Sequence, residues 1–248
     1  MQPHASLFVS LGIPALALAV LALIAFAVAR VAPGSAATTR FVAGALLWLL
    51  VSALLARTGL LADFDARPPP LSLIILPTFV LPLALACSAL GARLAQALPL
   101  SWLVAFHGFR LPLELVMHQA AREGTMPEQM TFTGHNFDIV TGASALALAA
   151  LIARRRAPRA LVLAWNALGS LLLATIVVVA IRSLPLFHAY GTEPAHLNTW
   201  VAYFPFVWLP AALVSAALFG HVILWRRLLT KARVDAPTNQ GYPLIEEF

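Results

Sequence analysis

Four ionisable or titratable side chains recur at helical spacing in one stretch of an otherwise apolar chain: His107, Arg110, Glu114 and His118. At 100° per residue they share an arc of about 80° on one helix face. Arg110 and Glu114 stand at i and i+4, where a guanidinium and a carboxylate can meet and share one desolvated site. Pro112 lies between them and cannot donate to the carbonyl of Gly108, so a bend is expected there. A second polar group follows at Met130-Thr-Phe-Thr-Gly-His-Asn-Phe-Asp138. Asn136 and Asp138 are each either a helix N-cap or part of the same site. Together, His107, Arg110, Glu114, His118, Asn136 and Asp138 form the candidate ligand pocket. His135, Asn166, Tyr203 and Trp208 are secondary candidates. A buried Arg–Glu pair that merely fixes helix packing is the competing explanation.

Metal or haem chemistry has thinner support. Five histidines (His4, His118, His135, His188 and His196) fall on or near one face, and His118 with His135 is the pair that could ligate. No HExxH motif is present. Bis-histidine haem ligation wants two histidines on facing helices at equal depth. His107 has no such partner by this reading, which places His221 near the far end of the last helix. Solvated loop histidines are the blander explanation. No GxxxxGK[ST] or GxGxxG motif is present, so an ATP-driven pump acting alone is not expected. The single cysteine, Cys87, excludes an internal disulfide, and the single lysine, Lys231, leaves no intramembrane amine for a Schiff base.

The elements that must position these residues are membrane helices. Of the 248 residues, 61% are hydrophobic and 10% charged, against about 25% charged in a soluble domain. Such a chain cannot cover a water-facing surface. A spanning helix needs roughly 20 apolar residues, and seven segments qualify: Leu7–Ala29, Phe41–Leu61, Leu71–Ala92, Ala97–Gln119, Asn136–Ala153, Ala160–Ile181 and Thr199–Trp225. Arg110 then sits about 20 Å into the fourth. The fifth is short unless its polar start already lies in the membrane. The expected fold is an all-α bundle of seven transmembrane helices over residues 1–233, with a disordered cytoplasmic tail at 234–248.

Charge gives the bundle a direction. Eleven of the sixteen basic residues fall in one alternating set of connections and four in the other, with Arg110 in neither. The positive-inside rule places the richer set in the cytoplasm, the N-terminus outside and the C-terminus inside. The net charge of +6 is thus a topology signal, and no basic face for nucleic acid is formed. Cleavage after Ala27-Val-Ala29 would leave six helices. The start lacks a basic n-region and its apolar run is long for a signal peptide, which favours retention. Trp200 and Trp225 suit an interfacial belt. Pro185–Asn198 suits a structured cap over the bundle mouth. Leu76–Leu85 and Phe204–Leu213 each carry two prolines five apart, a faint sign of a parallel repeat.

The run Arg110-Leu-Pro-Leu-Glu114, with Gly124-Thr-Met-Pro127, Met130-Thr-Phe-Thr-Gly134, Asn136-Phe-Asp-Ile139, Trp165-Asn166 and Pro205-Phe-Val-Trp-Leu-Pro210, resembles a group of uncharacterised bacterial multi-pass inner-membrane proteins. The resemblance covers roughly residues 40–228. It implies a bacterial inner-membrane location and brings no activity or catalytic residue with it. Three functions fit the residues. One is a periplasm-facing pocket for a small solute or ion, serving transport or permeation. The second is an intramembrane enzyme or a haem or metal redox subunit, with Glu114 and Asp138 as acid–base groups. The third is a structural or assembly subunit of a membrane complex. The lipid bilayer is the one partner common to all three.

Overall fold

A computed structural model of the chain describes residues 4–234. The expected disordered tail lies, apart from Val234, outside the described residues. The described chain is helical, without strands. Two long apolar helices open it, α1 (Leu7–Val31) and α2 (Ala37–Arg57). α3 (Ser72–Cys87) and α4 (Ala89–Ala97) are one apolar stretch bent by 67°. α5 (Leu100–Ala105) and α6 (Arg110–Arg122) are joined through a 3₁₀ turn, Phe106–Phe109. α7 (Asp138–Ala153) and α8 (Arg159–Arg182) follow. A π-helical turn, Leu209–Val214, then leads into α9 (Ser215–Val234).

Five helical stretches are long and apolar enough to cross a membrane, and the bent α3–α4 pair makes a sixth. The surface agrees. Leu76 is 66% exposed, Leu11 62% and Leu171 62%, and exposed apolar patches this extensive suit lipid rather than water. The remaining apolar segment, α7, has only 16 residues, short of the roughly 20 a plain span needs.

Three of the seven expected segments change shape. The third breaks at Ser88, whose extended backbone ends α3 while its hydroxyl accepts from the amide of Gly91 to start α4. Arg226 reaches across to donate to the carbonyls of Ala86 and Ser88, which satisfies groups that a broken helix would leave bare in the membrane. The fourth spans Leu100–Arg122 rather than Ala97–Gln119. Its irregularity is the 3₁₀ turn just before Arg110, where Pro112 withholds a donor from Gly108.

The seventh differs most. Its helix begins at Leu209, ten residues after the expected Thr199, because Thr199–Trp208 is a series of turns. Trp200 is consequently wholly buried against Phe206, 4.9 Å between rings, and is no interfacial belt residue. Trp225 donates to the hydroxyl of Ser170 at 3.1 Å. The π turn is held by its neighbours. Thr78 donates to the Pro210 carbonyl at 3.1 Å, and Trp48 to that of Ala211 at 3.0 Å. The two similar Pro-containing segments therefore differ in backbone: Leu76–Leu85 is regular α-helix, whereas Phe204–Leu213 is turns and π-helix. They pack on each other.

Hydrogen bonds tie the helix ends into two groups. At one end Glu123, just past α6, accepts from the amide of Ser6 before α1 at 2.8 Å. Gln129 there donates to Ser183, at the end of α8, and to the carbonyl of His196. The Pro185–Asn198 segment thus does fold over this end, with Asn198 bonded to Ser183 and Ala180. At the opposite end Arg227 donates to Gln96 at the close of α4, and Arg159 at the start of α8 to Leu228 of α9.

Candidate functional site

The site starts from a close backbone approach. A Cβ on Gly142 of α7 would lie 2.4 Å from the amide nitrogen of Leu111. Only glycine lets α7 touch the first turn of α6 this closely. The contact places Asp138, one turn before Gly142, beside Arg110. Arg110 Nη2 donates to Asp138 Oδ2, and this is the one ion pair among the described residues. Both residues are buried, 2% and 5% exposed.

Arg110 therefore pairs with Asp138, and the expected i,i+4 pair with Glu114 does not form. Helical side chains lean toward the N-terminus, so Arg110 leans away from Glu114, and the Arg-before-Glu order is the weaker i,i+4 arrangement. Glu114 is held instead by Asn136, whose Nδ2 lies 2.8 and 2.9 Å from its two carboxylate oxygens. The same Nδ2 donates to the Met130 carbonyl at 3.1 Å, and Asn136 Oδ1 accepts the amide of Asp138 at 3.1 Å. Asn136 thus braces the turn before α7 and clamps Glu114. It is not the N-cap weighed from the sequence: that position falls to Phe137, which makes no side-chain cap bond, and Asp138 is the first helical residue.

The other side of Arg110 meets a residue absent from the candidates. Arg110 Nη1 lies 3.0 Å from His221 Nε2, and His221 Nδ1 lies 2.8 Å from Asn166 Oδ1. Arginine can only donate, so Nε2 accepts and Nδ1–H donates to Asn166. The Asn166 amide nitrogen is 3.4 Å from the His221 carbonyl, consistent with that orientation. His107 lies against His221 with 4.1 Å between ring centroids and the planes tilted by 38°. Small residues make the room: a Cβ on Gly169 would lie 2.7 Å from His221, and one on Gly220 2.9 Å from His107.

His107 therefore does have a histidine neighbour at equal depth, contrary to the sequence expectation. The late start of the last helix is the reason: His221 is only twelve residues beyond Leu209 and lies mid-helix. Both His221 nitrogens are committed to Arg110 and Asn166, so the pair does not offer two free axial nitrogens. Among the described residues, no group of three or more His, Cys, Asp or Glu is placed to hold a metal ion.

Arg110, Glu114, Asn136 and Asp138 form part of the wall of a cavity of about 80 Å³. The rest of the wall is chiefly apolar, including Phe109, Met130, Leu173 and Leu213, with Thr78 adding a hydroxyl. Asp138 Oδ1 has no hydrogen-bond partner among the described residues. An adjoining cavity of about 60 Å³ shares Met130, Ala180 and Pro210 with the first and reaches Leu184, Asn198 and Val201 under the end segments.

Six of the ten candidates lie off this cavity's wall, and of these only His107 and Asn166 stay in the cluster, beside His221. His118 is half-buried and stacks on Phe132 at 4.5 Å. His135 is exposed, edge-on to Tyr190. Trp208 donates to the Leu49 carbonyl at 3.1 Å, and Tyr203 is half-buried. Asn166 joins the cluster through His221 rather than through the cavity wall. His221 was missed because its depth depends on where the last helix begins. Gly169 and Gly220, aligned with it on two long apolar helices, were the available signal. Compared with known protein families, curated proteins and solved structures, the chain matches none.

Proposed function

We propose that the chain crosses a bacterial inner membrane seven times, N-terminus outside, and binds a small solute or ion in a periplasm-facing pocket that serves transport or permeation. The observation that carries this reading is the buried constellation of Arg110, Asp138, Glu114 and Asn136 at a cavity wall, with one carboxylate oxygen of Asp138 unpartnered among the described residues. Arginine at mid-membrane depth costs about 2.5–3.5 kcal/mol on insertion scales. A chain that only needed packing there would do as well with apolar residues.

The seven-span reading adds α7 to the six longer spans. Its 16 residues suffice because the polar turn before it, at Asn136, is buried and bonded within the protein. The orientation rests on charge: Arg154, Arg155, Arg156, Arg159, Arg226 and Arg227 gather at the end where α8 begins. The cavity lies toward the other end, lined by the start of α3, the last turns of α8 and the π turn. The proposed kinship with the bacterial group rests on the sequence motifs, whose residues Arg110, Glu114, Asn136, Asp138 and Asn166 join one hydrogen-bonded cluster here.

The test is native mass spectrometry of the detergent-extracted protein. A small bound species should accompany the wild type and be lost from Asp138→Asn and Glu114→Gln. Identical spectra for all three, with unchanged uptake of the identified species into proteoliposomes, would end this reading.

A further inference from the structure

A groove of about 300 Å³ runs beside the first half of α2. Leu21 of α1, Phe41 of α2, Leu81 and Leu85 of α3, and Phe219 of the last helix make it mostly apolar. From Arg40 to Trp48 along α2 it is about 12 Å long at 1.5 Å per residue, close to the roughly 15 Å of hydrocarbon in one leaflet. Trp48 is fixed at the inner end, where its indole nitrogen donates to the Ala211 carbonyl at 3.0 Å. The groove opens sideways. Leu81 is 48% exposed, and a Cβ on Gly44 would meet nothing within 4 Å. In a bundle that crosses a membrane, that opening faces lipid.

Arg40 is the one charged residue in the groove wall. It is exposed, and no hydrogen bond or ion pair engages its guanidinium among the described residues. Other arginines at this end are engaged within the protein. Arg226 and Arg227 donate to backbone carbonyls, and Arg30 lies over the Trp102 ring. Among the described residues, this end holds no Asp or Glu: the carboxylates lie in the buried cluster or at the opposite end. Nothing described therefore neutralises Arg40. The positive-inside bias explains why arginines gather here, but not why one of them lines an apolar groove. Two larger grooves, of about 370 and 390 Å³, have no Arg, Lys, Asp or Glu in their walls.

The pairing of a guanidinium with an apolar channel one leaflet long selects the occupant. A phosphate matches the donor fork of arginine, and a free phosphate would leave the apolar length unfilled. A zwitterionic head brings an ammonium group, which the surrounding arginines repel. We propose that the groove binds an anionic glycerophospholipid of the leaflet at the arginine-rich end. One acyl chain lies along α2 from Phe41 to Trp48, and the phosphodiester accepts from Arg40, as basic pockets between membrane helices hold lipid heads. The groove shares no wall residue with the Arg110 cavity, so the lipid site stands apart from the solute pocket proposed above.

The probe is phosphatidylglycerol with a photoreactive diazirine in one acyl chain, compared with phosphatidylcholine carrying the same label. Each is applied to the full chain in phosphatidylcholine nanodiscs. Phosphatidylglycerol should label residues 41–48 and 81–85 more strongly, and unlabelled phosphatidylglycerol should compete. Arg40→Gln should cut that excess about fivefold, equivalent to the roughly 1 kcal/mol of one basic residue at a membrane surface. Gly44→Phe fills the groove with every charge in place and should cut it too. Arg154→Gln removes a charge from the same end, off the groove wall, and should leave the labelling unchanged. Equal labelling by the two lipids overturns the proposal. So does an equal loss in Arg154→Gln and Arg40→Gln, because the preference then belongs to the basic end as a whole. Competition by inorganic phosphate, or labelling that Gly44→Phe does not move, overturns it as well.

Discussion

His221 accepts a hydrogen bond from Arg110 across 3.0 Å while its other ring nitrogen is bonded to Asn166 at 2.8 Å. The imidazole is thereby fixed as the neutral Nδ1–H form, and three helices, α6, α8 and α9, meet at one side chain. The guanidinium is held from two directions, by a carboxylate and by a neutral acceptor, so its plane has little freedom. Preorganised donors of this kind are what a polar site in lipid requires, because water is not there to orient them.

The tautomer is directly measurable. Nitrogen-15 spectra of histidine-labelled protein should show one ring protonated at Nδ1 and bare at Nε2, assigned by its loss in His221→Phe. An Nε2-protonated ring would refute the assignment. Asn166→Leu removes the acceptor for Nδ1–H and should lower stability by about 1–3 kcal/mol, the cost of a buried unsatisfied donor, read from unfolding in mixed detergent micelles.

Arg110→Ala should be worse than removing both partners. It leaves Asp138 buried and uncompensated, a loss of about 3–5 kcal/mol for a broken buried pair. The double replacement Arg110→Met with Asp138→Leu puts apolar groups of similar reach in place of the two charges. It should recover most of that stability while failing to bind the native ligand. Unfolding midpoints of wild type, single and double variants decide the matter. A double variant no more stable than Arg110→Ala would show that the pair is needed for folding itself.

Much of this site was legible because ionisable residues in apolar helices are expensive and few. Type and depth alone pick out His107, Arg110, Glu114, His118, Asn136 and Asp138; Arg110, Glu114, Asn136 and Asp138 line one cavity, while His107 and His118 do not. Their pairing was not legible. It depends on α7 meeting α6 at Gly142, and a lone glycine in an Ala- and Leu-rich helix does not announce which backbone it touches. His221 was lost for a different reason: hydropathy places an apolar segment but not its first helical residue. The apolar run from Thr199 concealed the turns before the π segment, and a ten-residue error moves a side chain by about 15 Å along a helix. The helical bundle itself was plain from composition, since apolar length needs no tertiary information.

Gly142→Ala tests the backbone contact that brings the pair together. Its methyl would stand 2.4 Å from a backbone nitrogen and 2.9 Å from the Arg110 carbonyl carbon, neither of which can rotate away. Separating α6 from α7 should cost about 1–3 kcal/mol, the usual range for overpacking, and should also weaken ligand binding by displacing Asp138 from Arg110. Gly44→Ala is the control, because its added Cβ meets nothing within 4 Å. It should be neutral or slightly stabilising through helix propensity. Equal behaviour of the two variants would show that the α6–α7 contact is looser than the structure has it.

The end of the bundle that carries Glu123 should loosen in acid. Glu123 accepts from the Ser6 amide at 2.8 Å and from Gln119 Nε2 at 2.7 Å, and so joins the start of α1 to the end of α6. These bonds, that from Ser6 foremost, favour the charged form and hold its pKa below the ordinary 4.5. A carboxylate whose folded pKa is depressed contributes stability above its unfolded value and loses it as pH falls through the folded one. Protection of the Ser6 amide from hydrogen exchange, taken relative to Glu123→Ala at each pH, should therefore exceed one near pH 7 and decline toward one below the usual carboxylate range. A ratio that stays constant from neutral to acid pH would mean that the carboxylate does not anchor α1. Glu123→Gln keeps an acceptor for Ser6 without the charge, so it should hold part of the protection and lose its pH dependence.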